Sequence, residues 1–393
     1  MKTSSTYRPE PSPAHRRLTC IDALRGLVVL IMLVDHVRET FLLHHQVPDP
    51  MVVPETEPSL FFSRLLAHLC APVFVLLTGL SAWLHAAHHG GDARATAASF
   101  LWRRGLFLVL LEITVVNFAW TAELPPTRLY LQVIWALGLS MLALAALLWL
   151  PRRVLVALGL TLVAGHNLLD GLHFAPDHPL HVMWAVLHDR GWISASESLQ
   201  IRTSYPLLPW IGVIALGYAA GPWFDTRTDA AERSRRLLAW GVGLLAGFLL
   251  LRALDLYGDH PWSAGDTTLA TAMAMLNVTK YPPSLLFCAL TLGTGLLLLR
   301  AFERSRERSW LRVLAVFGAA PMFAYILHLY VLRALYLMAV AVFGPNRGAL
   351  FGVDSMFEVW VGAALLALLL YPSVRAFGRL KARRRDIVWL KYL

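Results

Sequence analysis

Two residues of the first long apolar segment, Arg25 and His36, are eleven positions apart. At 3.6 residues per turn this is close to three helical turns, so both side chains share one stripe. A rise of ~1.5 Å per residue sets them roughly 16 Å apart along the axis. Arginine suits a phosphate-bearing ligand. Histidine suits general-base work near neutral pH. Asp35 is off this stripe by about a quarter-turn and faces another neighbour, where it could orient a histidine or pair with an arginine. Asp22, Arg38 and Glu39 complete the charged set. An ionisable group at membrane depth costs several kcal/mol unless it faces protein, water or a partner. Two readings therefore compete: a chemical stripe, or a buried ion-pair lattice that holds helices together. For Arg38 and Glu39, near the outer end, a snorkelling or loop position is expected.

Other polar residues are candidates for the same cavity. They are His68 in the second apolar segment, Glu112 in the third, and His328 beside Tyr325 in the ninth. Lys280, Tyr281 and Ser284 lie in the run Asn277-Val-Thr-Lys-Tyr-Pro-Pro-Ser at the start of the eighth. His44 and His45 follow the first segment closely enough to reach an outer mouth. Each alone reads more readily as a satisfied core residue. Glu112 is the exception, because a mid-membrane carboxylate needs a partner or a task. His166, His173, His178, His181 and His188 fall in or beside one outer connection. Their spacing matches no standard zinc motif, so they are expected to be solvated loop residues and no metal is expected. Cys20, Cys70 and Cys288 are odd in number and fit no metal spacing, which makes them structural thiols. No Gly-rich phosphate loop, G-x-S-x-G or H-E-x-x-H is present. A nucleotide-bearing ligand would have to bind at helix ends.

The elements that must hold these residues are membrane helices. Hydrophobic residues make up 57% of the 393-residue chain and charged ones only 15%, against about a quarter in soluble proteins. Mean hydropathy is +0.56. So many apolar stretches could not hide in one soluble core. About ten spans are expected: Ile21–Leu43, Phe61–Ala87, Ser99–Trp120, Leu129–Leu150, Arg153–Leu169, Tyr205–Trp223, Leu237–Leu256, Pro283–Ala301, Leu311–Phe343 and Phe357–Phe377. The ninth is long and carries Pro321, which predicts a kink or a split. The fold class is thus all-α, a polytopic helical bundle. One membrane domain is expected over 21–377, between a polar tail at 1–20 and a basic tail at 378–393. The first segment is too long for a signal-peptide core and lacks a cleavage site, so it is read as a retained span.

With these spans, 25 Lys and Arg fall on the side of the two termini and five on the other: Arg128, Arg190, Arg202, Lys280 and Arg347. The positive-inside rule then puts both termini in the cytoplasm, with Arg25 near the inner face and His36 deeper. The net charge of +10 becomes topology signal and lipid contact, with no nucleic-acid partner expected.

Seven runs carry a resemblance. The first is Ile21-Asp-Ala-Leu-Arg-Gly-Leu through Met-Leu-Val-Asp35-His36-Val-Arg38. Then come His68-Leu-Cys-Ala-Pro-Val-Phe-Val, Arg104-Gly-Leu through Leu-Glu112-Ile-Thr-Val-Val, and Leu131-Gln-Val-Ile-Trp135-Ala-Leu-Gly. Tyr205-Pro-Leu-Leu-Pro-Trp210-Ile-Gly, Lys280-Tyr-Pro-Pro-Ser284-Leu-Leu and Pro321-Met-Phe-Ala-Tyr325-Ile-Leu-His328 complete the series. In this order they resemble bacterial membrane proteins related to the catalytic domain of heparan-alpha-glucosaminide N-acetyltransferase, over nearly the whole chain. The spacing of Arg25 and His36 is also similar to the motif of the broader membrane acyltransferases that modify surface sugars.

The resemblance implies a bacterial inner-membrane enzyme that takes an acyl group, most simply acetyl, from cytoplasmic acyl-CoA. The acceptor it implies is a sugar hydroxyl or amine on the far side. Arg25 would hold coenzyme A phosphates and His36 would take the acceptor proton, with Asp35 as its orienting partner. Direct attack on the thioester and a histidine-bound acyl intermediate both fit. In the animal members the important histidine lies beyond the first span, the region of His44 and His45 here, so both assignments stay open. The lipid bilayer is a partner, and a homodimer is admitted. A transporter or flippase using buried Asp, His and Arg as a proton relay is the competing class; inverted repeats, its usual sign, are not evident.

Overall fold

The computed structural model describes residues 19–393 apart from 88–91, 197, 306 and 385. The expected tail at 1–20 lies almost wholly outside the described residues. The chain is built mainly of helices, and six helical stretches are long and apolar enough to cross a membrane. They are Pro58–Ala87, Arg152–Leu169, Ala230–Leu254, Leu285–Arg304, Pro321–Phe343 and Met356–Arg383. Val133–Leu147, Leu208–Phe224 and Ser309–Ala319 are apolar but shorter. The first helix, α1 (Thr19–Arg38), is as long as these, yet Asp22, Arg25, Asp35 and Arg38 take it out of the set. Those charges are tolerable because α1 is central, with Ala23, Leu24, Val28 and Leu33 almost fully buried. The apolar faces of α10 (Ala230–Leu254) and α15 (Met356–Arg383) instead stay open at Leu249, Leu250, Leu365, Leu368 and Leu369. Faces of this kind suit lipid and would be costly in water.

The ninth expected segment is broken. Ala320 (φ −139, ψ 58) separates α13 (Ser309–Ala319) from α14 (Pro321–Phe343), and Pro321 opens the second piece. Proline fits there because the first turn of a helix leaves its N–H groups unpaired anyway. Both pieces run parallel to α1. Gly26 meets Gly318, where a Cβ on Gly26 would collide with the Leu314 carbonyl oxygen and one on Gly318 with that of Asp22. Further along the same two helices, His36 meets His328. Only glycine lets the two backbones come this close. The return helix α15 is antiparallel to α1, with Gly362 beside Val37 and Gly378 beside Ala319.

The chain also corrects a purely helical reading. A small sheet pairs β1 (Arg128–Leu131), β3 (Gln200–Thr203) and β2 (Gly191–Ser194) in that order. Arg128 aligns with Gln200 in the parallel pair, and Gly191 with Thr203 in the antiparallel one. The fourth expected segment therefore opens as a strand, and its helix α6 (Val133–Leu147) starts later. Strand pairing between such distant stretches has no local signal to read.

Two helices contain a turn of π-helix, Glu39–Leu43 after α1 and Glu112–Val116 between α4 (Ala93–Leu111) and α5 (Asn117–Thr121). Such insertions re-aim side chains and recur at functional sites.

Candidate active site

His36 and His328 form the centre of the site. Nδ1 of His36 is 2.6 Å from Nε2 of His328, and the rings stack with centroids 4.9 Å apart. Nδ1 of His328 lies 3.1 Å from the Ala324 carbonyl oxygen. A carbonyl only accepts, so this nitrogen carries the proton and donates. The Nε2 of a neutral His328 is then a lone pair, which must accept from Nδ1–H of His36. That leaves the Nε2 of a neutral His36 unprotonated. A tautomer chosen this way is poised to take a proton. Trp120 packs edge-on to His36 at 5.2 Å and Tyr325 at 6.1 Å, which restricts the ring's rotation.

His36 lines an internal cavity of about 160 Å³. Arg25, Arg104 and Lys381 line it too, as do Asp35, Tyr205, Lys280 and Tyr325. Arg25 is braced by Asp22 at 3.3 Å, by the Leu77 carbonyl at 3.2 Å and by Ser81. The stripe from Arg25 to His36 therefore faces one continuous space, with cations three turns away from the histidine pair. Arg104 and Lys381 were accounted for in the sequence as topology signals.

Asp35 belongs to a different set. One of its oxygens pairs with Arg38 and the other with Arg64 at 2.7 Å. Arg64 continues to Asp49 at 2.6 Å, and Asp49 to Nε2 of His68 at 3.1 Å. No hydrogen bond joins Asp35 to His36, so the partner that orients His36 is His328. Arg38 is 1% exposed, which overturns the snorkelling expectation for it; Glu39 sits 3.4 Å away from it. Burial alone would push the Asp49 carboxyl up. Arg64 and the His68 hydrogen bond outweigh it and hold that carboxyl below the usual carboxylate range. This set is an ion lattice, and it takes in His68 as well.

Glu112 has a structural partner. Its Oε2 accepts from the Trp135 backbone N–H at 3.2 Å, near the start of α6. A carboxylate there meets unpaired N–H groups and the positive end of the helix dipole. Ser284 is a cap as well: its Oγ accepts from the Phe287 N–H at 2.9 Å and donates to Asp259 at 2.5 Å. Lys280 is buried with its ammonium 5.1 Å from the Tyr281 ring centre and 5.9 Å from that of Tyr205. The two hydroxyls are 3.3 Å apart. Arg252 steadies this run from outside, donating to the carbonyls of Met275, Ala274 and Asn277.

His44 and His45 line a second, larger space of about 760 Å³. Arg190, Arg202, Arg333, Glu39, Tyr130 and Trp120 also line it. Trp120 thus borders this vestibule and packs on His36, so the wall between the two spaces is one aromatic layer thick. The vestibule arginines come from three separate stretches of chain, and sequence reading had no way to group them.

A mostly helical chain with apolar lipid-facing helices and a buried polar cavity is an integral membrane protein with an internal site. The model of the family described as "Heparan-alpha-glucosaminide N-acetyltransferase, catalytic" matches residues 17–251, more than half of the chain. The chain belongs to that family of membrane acetyltransferases. No curated protein matches it. The matched stretch contains Arg25, Asp35, His36, Arg104 and Trp120, and it stops short of Lys280, Tyr325 and His328.

Proposed function

We propose that the protein transfers an acyl group, most simply acetyl, from acyl-CoA on the cytoplasmic side to a hydroxyl or amine of a sugar on the opposite side of a bacterial inner membrane. The cytoplasmic assignment of the Arg25 end follows from the 25-to-five distribution of Lys and Arg. In this reading residues 21–377 form the catalytic domain, between the tails at 1–20 and 378–393. All the side chains named come from one chain, so a homodimer is not needed for the chemistry.

The observation that carries the reading is the paired histidine at the end of a cation-lined cavity. At about 160 Å³ the cavity takes a thin chain and no nucleotide. The acyl-bearing arm of the donor would thread toward His36, with its phosphates held at the mouth by Arg25, Arg104 and Lys381. The acceptor would approach from the vestibule, where Arg190, Arg202 and Arg333 outnumber Glu39 and favour an anionic sugar.

The proton bookkeeping is simple. As the acceptor oxygen or nitrogen attacks the thioester carbonyl, Nε2 of His36 takes its proton. Collapse of the tetrahedral species breaks the C–S bond, and the departing thiolate takes that proton back from Nε2. His328 holds the tautomer throughout, and the imidazolium that forms is shared along the His36–His328 hydrogen bond. Asp35 contributes at a distance, by keeping α1 in register through Arg38 and Arg64. The test is consumption of labelled acetyl-CoA by the protein in liposomes with an amino-sugar acceptor. Turnover should be lost in His36→Ala; undiminished turnover there would remove His36 from this role, and acceptor movement without acyl-CoA would point to a transporter.

A further inference from the structure

Three residues that the proposed chemistry does not use gather outside both the cavity and the vestibule. His166 follows α7 (Arg152–Gly165), Asp170 comes one turn later, and His188 follows α8 (His181–Leu187). One potential ligand atom of each lies within 4.8 Å of the other two. His166 is 2% exposed, no side chain hydrogen-bonds either of its ring nitrogens, and its one polar neighbour in reach is the Pro283 backbone. A buried imidazole so poorly engaged is costly and calls for an explanation. Nε2 of His188 is 3.3 Å from Oδ1 of Asp170. Two ligand atoms on a tetrahedral zinc ion, each ~2.0–2.1 Å from the metal, sit about 3.3 Å apart.

The surroundings also fit a metal. Asn167 donates to Oδ2 of Asp170 at 2.8 Å and accepts from the Leu285 N–H at 2.9 Å, which fixes the carboxylate. Nδ1 of His188 is 3.4 Å from Oδ1 of Asp189, the arrangement in which a carboxylate backs a metal-binding histidine. Nε2 of His188 also rests 3.1 Å from the His166 carbonyl, a contact the ring would exchange for the ion. A pocket of about 320 Å³ opens beside Asp170 and His188, lined by Asp189 and Asp259, by Asp49 with its Arg64 partner outside, and by one cation, Arg190. Such a pocket offers an ion an entry path.

We propose that His166, Asp170 and His188 bind a divalent transition-metal ion, zinc by preference, as a clasp between the end of α7 and the end of α8. Two imidazoles and one carboxylate suit zinc and leave a fourth position for water. The expectation of solvated loop histidines fails for His166 and His188 because the ligands come from two stretches that only the fold brings together. The clasp has a consequence for the vestibule. Arg190, two residues beyond His188, lines both spaces and lies 4.6 Å from the Tyr281 ring centre, so an ion at His188 fixes one of the vestibule cations.

The test uses the full chain in detergent, stripped with a chelator, dialysed and titrated with Zn²⁺. Elemental analysis should find one zinc per chain in the wild type and in His173→Ala, whose ring is largely exposed outside the triad. His166→Ala and Asp170→Asn should weaken binding about tenfold or more. Added Zn²⁺ should raise the Tm of the wild type and leave that of Asp170→Asn unchanged. Should His166→Ala fail to fold, Asp170→Asn carries the comparison alone, because Asp170 is exposed. Zinc that the wild type does not take up on reloading, or that both variants bind as the wild type does, would overturn the proposal.

Discussion

Asp35 and His36 are consecutive on α1, and the two sides of that helix behave in opposite ways. On one side, Asp35 closes a set of charges with Arg38, Arg64, Asp49 and His68, in which each group meets an opposite charge or a hydrogen-bond partner. On the other, His36 has one nitrogen engaged by His328 and faces an open cavity with the other side of its ring. A buried charge is therefore a poor marker of chemistry in a membrane helix. Charges that pair with one another mark a lattice that holds helices. A titratable group that borders a cavity and meets no opposite charge marks a place where a ligand can enter.

The sharpest way to break this contrast is to remove each side in turn. His36→Ala should lower kcat about a thousandfold, within the range of general-base losses, with Tm close to that of the wild type. A matching loss of Tm would place His36 in the lattice. Arg64→Ala should cost about 3–5 kcal/mol of stability, because it takes a buried cation from both Asp35 and Asp49 and leaves them only Arg38 and His68. Thermal unfolding in detergent reads this directly, and an unchanged Tm would mean that the lattice is not what holds α1 to its neighbours.

Smaller effects sharpen the contrast. His328→Ala should reduce turnover roughly 10–100-fold by releasing the tautomer of His36, as loss of an orienting partner does elsewhere. His328→Gln should recover part of this, since its amide oxygen can accept from Nδ1–H. Equal losses in the two variants would argue that His328 only fills space. The least severe change is Arg25→Ala. It should raise the KM for acetyl-CoA about tenfold with kcat nearly unchanged, the pattern for lost ground-state binding. A loss confined to kcat would move Arg25 from donor binding to the chemical step.

Much of the membrane architecture was legible in the chain. Apolar runs, the break announced by Pro321 and the placing of Arg25 and His36 on one stripe all depend on neighbours within a few turns. The roles of Glu112 and Ser284 were less legible. Both looked like candidates for chemistry, and both turn out to cap helices, α6 and the one that begins at Leu285. Arg104 and Lys381 count toward the basic side of the chain, and both also line the cavity. In each case the missing information was which distant backbone or side chain stood opposite.

Local periodicity thus settled that this is a helical membrane protein and that Arg25 and His36 look the same way. Helix geometry requires it, whatever surrounds them. It could not settle that His36 would find His328, that Asp35 would turn to Arg64, or that His166 and His188 would meet around Asp170. Those pairings depend on helices that approach through Gly26 and Gly318 and on connections folded back over the bundle. A side chain's partner, and with it the lone pair left over for chemistry, is set by packing between segments far apart in the chain.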